Sequence, residues 1–326
     1  MAKYLVTGIA GFIGSSIARE LVNRGETVRG LDDFSTGKWA NIEEIKDSLD
    51  FRGVSLLDQA GLASACEGID YVIHQAALPS VPKSVAEPEL THAVNVNGTL
   101  NLLLAARNAG VKRVVYAASS SVYGNSEVLP KREDMIPRPI SPYAVQKLTG
   151  EYYMQAFSAV YGLETVSLRY FNIFGPRQDA NSQYSAVLAK FITQMQQGES
   201  PTIFGDGEQS RDFTYVANAV QANLKACVAP AKDVSGRVFN IATGTRFSLK
   251  RTFEMLGKII GFSGAAKYAA ERTGDVKHSL ADISLAQKHL GYSPEESFEE
   301  GLRRTVEWYQ QQALAPATLS TSGSSR

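Results

Sequence analysis

Lys3-Tyr4-Leu5-Val6-Thr7-Gly8-Ile9-Ala10-Gly11-Phe12-Ile13-Gly14 decides how the rest of the chain is read. The run Lys3 to Thr7 predicts a buried strand, and Phe12 to Asn23, closed by Gly25, predicts a helix. Three glycines lie between them at G-x-x-G-x-x-G spacing. In a strand–turn–helix setting such glycines make the tight turn, let a diphosphate approach the backbone and let the helix pack on the strand. The helix N-terminus then offers free N–H groups and a partial positive charge to the phosphates. A glycine-rich turn alone is a weak signal, and here the context strengthens it. A second strand, Thr27 to Asp32, follows in step and ends at Asp32-Asp33, with Asp32 18 positions past Gly14. A carboxylate there accepts hydrogen bonds from the adenosine ribose and repels a 2′-phosphate, which favours NAD over NADP. The plainer reading of Asp32 is a strand-end turn residue. Asp58 is either an adenine contact or part of a helix N-cap.

Outward from this unit the same rhythm continues. Phe51 to Val54, Tyr71 to Gln75, Arg113 to Ala118 and Thr165 to Tyr170 read as further strands, with helical stretches between most of them. Short β-branched strands alternating with helices predict an α/β fold, a Rossmann-type doubly wound parallel sheet. After Phe171 the elements shorten, punctuated by Gly175-Pro176, Gly198, Gly205-Asp206-Gly207 and Gly244. The expected organisation is a dinucleotide-binding domain over 1–171 and a smaller α/β substrate-binding domain over 172–312. Segments near 211–241 return to the first domain. The Ala-, Ser- and Thr-rich stretch 313–326 is expected to be disordered. No internal repeat is present.

Composition narrows the function. The chain has 326 residues, 44% hydrophobic and 20% charged, with a formal net charge of zero. That suits a soluble globular enzyme and favours neither nucleic acid nor an anionic membrane as partner. Two cysteines, Cys66 and Cys227, sit in helical apolar stretches, so neither a disulfide framework nor a metal site is expected. This fits a reducing cytosol. The N-terminus runs straight into a strand and has no signal-peptide pattern. No apolar run approaches the roughly 18 residues of a membrane span.

The chemistry is expected around Ser141-Pro142-Tyr143-Ala144-Val145-Gln146-Lys147. Ser141 suits an N-cap and Pro142 the first helical position. Tyr143 and Lys147, at i and i+4, then share one helix face. A phenol with a free pKa near ~10 is a poor base at neutral pH. A neighbouring ammonium and a positive nicotinamide ring would favour the phenolate. The fifth strand ends in Ala118-Ser119-Ser120-Ser121-Val122-Tyr123-Gly124. A serine there could hydrogen-bond a substrate oxygen beside Tyr143; otherwise the hydroxyls are a polar strand end leading into a loop. His74 reads as a strand-end residue near the cofactor. His278 and His289 lack metal-ligand spacing and are expected at or near the surface.

With these motifs in order, the chain resembles the extended short-chain dehydrogenase/reductases, and within them the UDP-sugar 4-epimerases. The resemblance runs from Tyr4 to about Tyr309. It rests on Gly8 to Gly14, Leu31 to Lys38, His74-Gln75-Ala76-Ala77, Ser119 to Gly124, Tyr143 to Lys147, Leu168 to Pro176, Gly205-Asp206-Gly207, Arg211-Asp212-Phe213 and Gly274 to Ser279. It implies NAD held by Gly8, Gly11, Phe12, Ile13, Gly14, Asp32, Asp33, Ser35, Thr36, Gly37, Asp58, Gln75, Ala76, Ala77, Tyr143, Lys147 and Tyr170. It implies that Ser119 contacts the sugar O4, that Tyr143 is the acid/base, and that Lys147 binds the nicotinamide ribose and tunes Tyr143. It places Asn172 and Arg211 on the UDP moiety and Arg272 on the diphosphate. Ser80, Ser120, Ser121, Gln178, Phe204 and Ser279 complete the implied substrate pocket. A homodimer is implied, paired through helices near Thr91 to Ala109 and Tyr143 to Val160.

Within that group Ser279 is small where glucose/galactose-only epimerases carry a tyrosine, which points to N-acetylated sugars. Arg177 to Ser182 also looks more like the N-acetylhexosamine epimerases. Pro79-Ser80 departs from the Gly-Ser of the strictest N-acetyl-specific members. The alternatives are a glucose/galactose-only epimerase, a nucleotide-sugar dehydratase or decarboxylase, and a non-catalytic NAD-sensing protein. Dehydratases usually carry Asp-Glu where this chain has Ser120-Ser121, and a sensor would be expected to have lost Tyr143 or Lys147.

Overall fold

A computed structural model describes residues 1–180, 187–271 and 277–314. Its strands are β1 (Lys3–Thr7), β2 (Thr27–Leu31), β3 (Leu49–Arg52), β4 (Tyr71–His74), β5 (Arg113–Ser119) and β6 (Glu164–Tyr170), then β7 (Ile173–Phe174), β8 (Thr202–Phe204), β9 (Ser210–Arg211), β10 (Thr214–Tyr215), β11 (Arg237–Ile241), β12 (Phe247–Ser248) and β13 (Lys267–Ala269). Helices include α1 (Phe12–Asn23), α2 (Gln59–Cys66), α3 (Val81–Ala86), α4 (Pro88–His92), α5 (Gly98–Asn108), α6 (Pro142–Tyr161), α7 (Val187–Gln196) and α8 (Val216–Val228).

Seven strands form one sheet in the order β11-β6-β5-β4-β1-β2-β3, and every pairing is parallel. A parallel sheet needs a crossover after each strand, and α1, α5 and α6 supply three of them. The chain winds outward from β1 in both directions, so the order reverses between β1 and β4. Ligands of open α/β sheets bind at such a switch point, beyond the carboxyl ends of the strands. The register brings those ends together: Thr7 pairs with Leu31 and His74, and Ser119 with Tyr170. β1, β4, β5 and β6 are almost wholly buried, as expected of strands covered on both faces.

The third strand lies two residues earlier than the sequence suggests, at Leu49–Arg52. It is an edge strand, where a charged residue is tolerated, and Asp50 pairs across to Arg29 with Nε–Oδ2 at 2.7 Å. The last helix, Phe298–Leu314, runs two residues into the stretch expected to be disordered, and 315–326 lie outside the described residues.

The turn after β1 depends on missing side chains. Gly8 has φ +67°, and a Cβ on Gly14 would stand 2.1 Å from the Gly8 carbonyl oxygen. The helix can come this close to the turn only without that carbon. Gly14→Ala should therefore separate α1 from the turn, at about 1–3 kcal/mol for overpacking. The expected result is a lower melting temperature and little NAD surviving gel filtration. A variant that melts and retains NAD like wild type would contradict this account of the turn.

Candidate active site

At the cofactor end the first turn of α1 has no side-chain cap, so its N–H groups face the glycine turn unshielded. Asp32 is buried and tied to that turn. Its Oδ2 accepts from Ala10 N at 2.9 Å and its Oδ1 from Phe34 N at 2.8 Å. Burial holds its carboxyl above the usual range, against the pull of those two N–H groups. Each oxygen keeps a lone pair for a ribose hydroxyl. Gly37 packs on the same carboxylate, and a Cβ there would meet Oδ1 at 2.8 Å. Burial also works to raise Asp33, yet hydrogen bonds from Ser35 and Ser55 outweigh it and hold that carboxyl low. Ser35 and Thr36 are exposed on the same loop. Asp58 N-caps α2, its Oδ1 accepting from Gly61 N at 3.0 Å.

Ser119 and Tyr143 come together from β5 and the first turn of α6. Ser141 caps α6 by accepting from Ala144 N at 3.2 Å, with Pro142 in the first turn. Burial pushes the Tyr143 phenol up to about 12, and a hydrogen bond with Ser119 works against that shift. Lys147 lies one turn further on, and its Nζ donates to the Ala117 carbonyl at 2.8 Å. Burial pushes its ammonium down to about 8, opposed by the Glu151 carboxylate. Ser120 follows Ser119 in a short 3-10 turn, and the Ser121 hydroxyl is buried there with no partner among the described residues.

A cavity of about 230 Å³ is lined by Asn172, Phe174, Leu188, Phe204, Arg211 and Phe213, among others. Asn172 Nδ2 donates to Ser279 Oγ at 3.3 Å, which brings Ser279 to its edge. Arg211 Nη1 donates to the carbonyls of Ser210 and Lys277, both at 3.1 Å. Gln178 Nε2 donates to Ile173 O at 3.2 Å. Ser80 caps α3, accepting from Lys83 N at 3.0 Å. Arg272, Asn181 and Ser182 lie outside the described residues. Among the described residues no metal-holding cluster occurs and no helix is long and apolar enough to cross a membrane.

The model of the NAD dependent epimerase/dehydratase family matches residues 4–242. The chain belongs to this family. It is similar to the UDP-N-acetylglucosamine 4-epimerase of Methanobrevibacter ruminantium, solved with UDP-N-acetylmuramic acid: 43% identical, TM-score 0.91, covering 95% of this chain and 99% of that one. It is also similar to the UDP-glucose 4-epimerase of Thermotoga maritima, solved with UDP-glucose: 37% identical, TM-score 0.90, covering 95% and 99%. The UDP-glucose 4-epimerase of Thermus thermophilus, solved with NAD, is 34% identical with a TM-score of 0.85, covering 94% and 99%. NAD is the cofactor of the family. The uncapped α1, the glycine turn and the Asp32 carboxylate fit its diphosphate and ribose.

Several residues of this epimerase-family site act from a distance in sequence. Asp212 is buried, and its carboxylate accepts from Thr243 N, Thr243 Oγ1, Gly244 N and Ala281 N at 2.8–3.3 Å. It thereby holds the segment that carries Ser279. Ser84 accepts from Tyr143 N at 3.0 Å. Asn223 Nδ2 donates to Tyr170 OH at 2.7 Å, and Gln75 Nε2 donates to the same hydroxyl at 3.0 Å. Gln75 and Tyr170 are expected at the site from the sequence, but Asn223, Ser84 and the role of Asp212 are not, although the Arg211-Asp212-Phe213 run includes the last.

His74 is built into the scaffold. Thr99 Oγ1 donates to Asn95 O at 2.7 Å, so it accepts from His74 Nε2 at 3.0 Å. Thr7 Oγ1 accepts from Ala76 N at 3.2 Å and donates to His74 Nδ1 at 2.8 Å. The chain of bonds selects the neutral Nε2–H tautomer. Burial, helped by the nearby Lys147, pushes the imidazole down to about 3. The stability this neutral ring contributes is present above the unfolded pKa near ~6.5 and is lost as pH falls below it. His74→Gln should be less stable than wild type at pH 7, and the gap should narrow between pH 6.5 and 4. Urea midpoints across that range measure it; a gap independent of pH would contradict the assignment.

Proposed function

We propose that this chain is a UDP-sugar 4-epimerase acting through a transient 4-keto sugar. The observation that carries the reading is Tyr143 beside Ser119, with a buried ammonium one helical turn away, at the switch point of a glycine-turn sheet. Ser119 orients the sugar O4 and Tyr143 takes its proton. NAD, when bound, accepts the C4 hydride and returns it. Lys147 favours the Tyr143 phenolate by its charge and has donors left for the nicotinamide ribose. The keto sugar turns within the pocket, so the hydride returns to its other face and Tyr143 gives the proton back. Oxidant and reductant balance within one turnover, so no external cofactor is consumed and NAD stays bound. Ser120 and Ser121 are not carboxylates, so the proton carriers that an elimination requires are missing there.

Asn172, Phe204 and Arg211 take the uridine end and Arg272 the diphosphate. Gln75, Ala76, Ala77 and Tyr170 line the nicotinamide side. The cofactor domain over 1–171, with returning segments near 211–241, also supplies Ser119 and Tyr143 to the sugar, and 172–312 supplies most of the remaining substrate pocket. Two chains pair through α5 and α6, whose outer face includes exposed Val145, Tyr152 and Val160. An apolar stripe of this kind on a family helix suits a partner copy.

Ser279 beside Asn172 leaves room where a tyrosine would fill the pocket. That supports UDP-GlcNAc and UDP-GalNAc as preferred substrates, with some activity on UDP-glucose and UDP-galactose. The similarity to the Methanobrevibacter ruminantium enzyme, at 43% identity, agrees with this reading.

Tyr143→Phe should reduce turnover by 10²- to 10⁴-fold with fold and NAD retained, and Ser119→Ala should cost less. Initial rates with matched NAD content decide this; near-normal activity in Tyr143→Phe would end the assignment. Parallel incubation with UDP-GlcNAc and UDP-glucose, followed by proton NMR of the anomeric signals, tests the substrate. Ser279→Tyr should suppress the N-acetylated reaction by roughly 5- to 150-fold and spare the other. Wild type that converts UDP-glucose but leaves UDP-GlcNAc untouched would overturn the substrate preference alone.

A further inference from the structure

Behind the proton chemistry lies a buried ion pair that the reaction scheme does not use. Glu151 stands four residues after Lys147 on α6 and is fully buried. Both of its oxygens are held by one guanidinium. Arg169 Nε donates to Oε1 at 2.9 Å and Nη2 to Oε2 at 2.7 Å. Arg169 lies on β6, and its Nη1 donates to Tyr123 OH at 2.9 Å. The guanidinium carbon sits 4.8 Å from the centroid of the Tyr123 ring. Tyr123 OH donates on to Asn240 Oδ1 at 2.7 Å. One knot therefore joins α6, β6, β11 and the turn that follows Ser119.

Burying two charges is costly, and well-packed apolar residues of the same volume often hold such elements as well or better. Packing alone gives no reason for charges here, and a charge-dependent neighbour does. Lys147 is that neighbour, at i−4 on the same helix face. Tyr143 and Glu151 face it from α6, His74 from β4 and Tyr116 from β5, whose ring centroid lies 4.9 Å from Nζ. His74 is neutral and the tyrosines are phenols, so Glu151 is the acidic group that acts on the ammonium. Arg169, on β6, lies beyond it.

We propose that Glu151 is a positioning residue for the reaction, keeping Lys147 charged and, through Arg169 and Tyr123, holding the Ser119 turn against Tyr143. The proposal rests on the roles given above to Tyr143 and Lys147. Without the carboxylate the ammonium loses its attraction. It then gives up its proton at lower pH.

The test is Glu151→Gln, which keeps shape and one hydrogen-bonding oxygen, assayed for epimerisation from pH 6 to 10 with NAD content matched to wild type. The alkaline limb of kcat, where Lys147 loses its proton, should move down by about one pH unit, with KM within about twofold. A merely structural pair would lower the melting temperature and leave that limb in place. Glu151→Asp, which keeps the charge but withdraws it by one methylene, should move the limb the same way by less. This second variant serves if Glu151→Gln does not fold. An alkaline limb that coincides with wild type in every folded variant would overturn the proposal. Failure of the parent reading would look different: wild type without epimerase activity, or Tyr143→Phe fully active.

Discussion

The hydrogen bond from the Lys147 ammonium to the Ala117 carbonyl, 2.8 Å long and inside the protein, holds α6 to β5. Much of the site's geometry follows from that contact. It fixes which face of α6 meets the sheet, and Tyr143, one turn earlier, is thereby set beside Ser119 at the strand end. The approach is possible because position 150 has no side chain: a Cβ there would stand 2.3 Å from the Tyr116 hydroxyl. From the other side Ser84 accepts from Tyr143 N, and Asn95 donates to Gln146 Oε1 at 2.8 Å. The helix is thus gripped on several sides before any ligand arrives. Such preorganisation is what proton transfer at a fixed distance requires.

What could be read in the sequence was local. The glycine turn, Asp32 and the Tyr143–Lys147 spacing are defined by separations of a few residues within recognisable strand and helix patterns. The family resemblance then placed the remaining candidates. What escaped was long-range. Asp212 serves Thr243, Gly244 and Ala281, about 30 and 70 positions away, and no local pattern announces a carboxylate with four donors waiting. Asn223 reaches Tyr170 across 53 positions. Asp58 stayed open because an N-cap and an adenine contact both call for a short carboxylate at this position; the Gly61 N–H shows the cap. The shift of β3 came from Asp50, whose charge argues against a strand until Arg29 is seen opposite.

The two buried titratable groups nearest the chemistry are shifted in opposite senses. Burial lowers Lys147 and raises Tyr143, so each is driven towards its neutral form. The Glu151 carboxylate opposes the burial of Lys147, and in the proposed reaction a charged Lys147 would favour the phenolate. Such matching is what the proposed reaction asks of a group that takes and returns one proton.

In the proposed reaction hydride leaves C4 and returns to C4 of the same sugar. A UDP-hexose carrying deuterium at C4, incubated with the purified protein and no added cofactor, tests it directly. Epimer is expected to form with deuterium retained at C4, seen by proton NMR and mass spectrometry. Epimer formed with deuterium lost to solvent, or formed only when NAD is supplied in proportion to product, would contradict it.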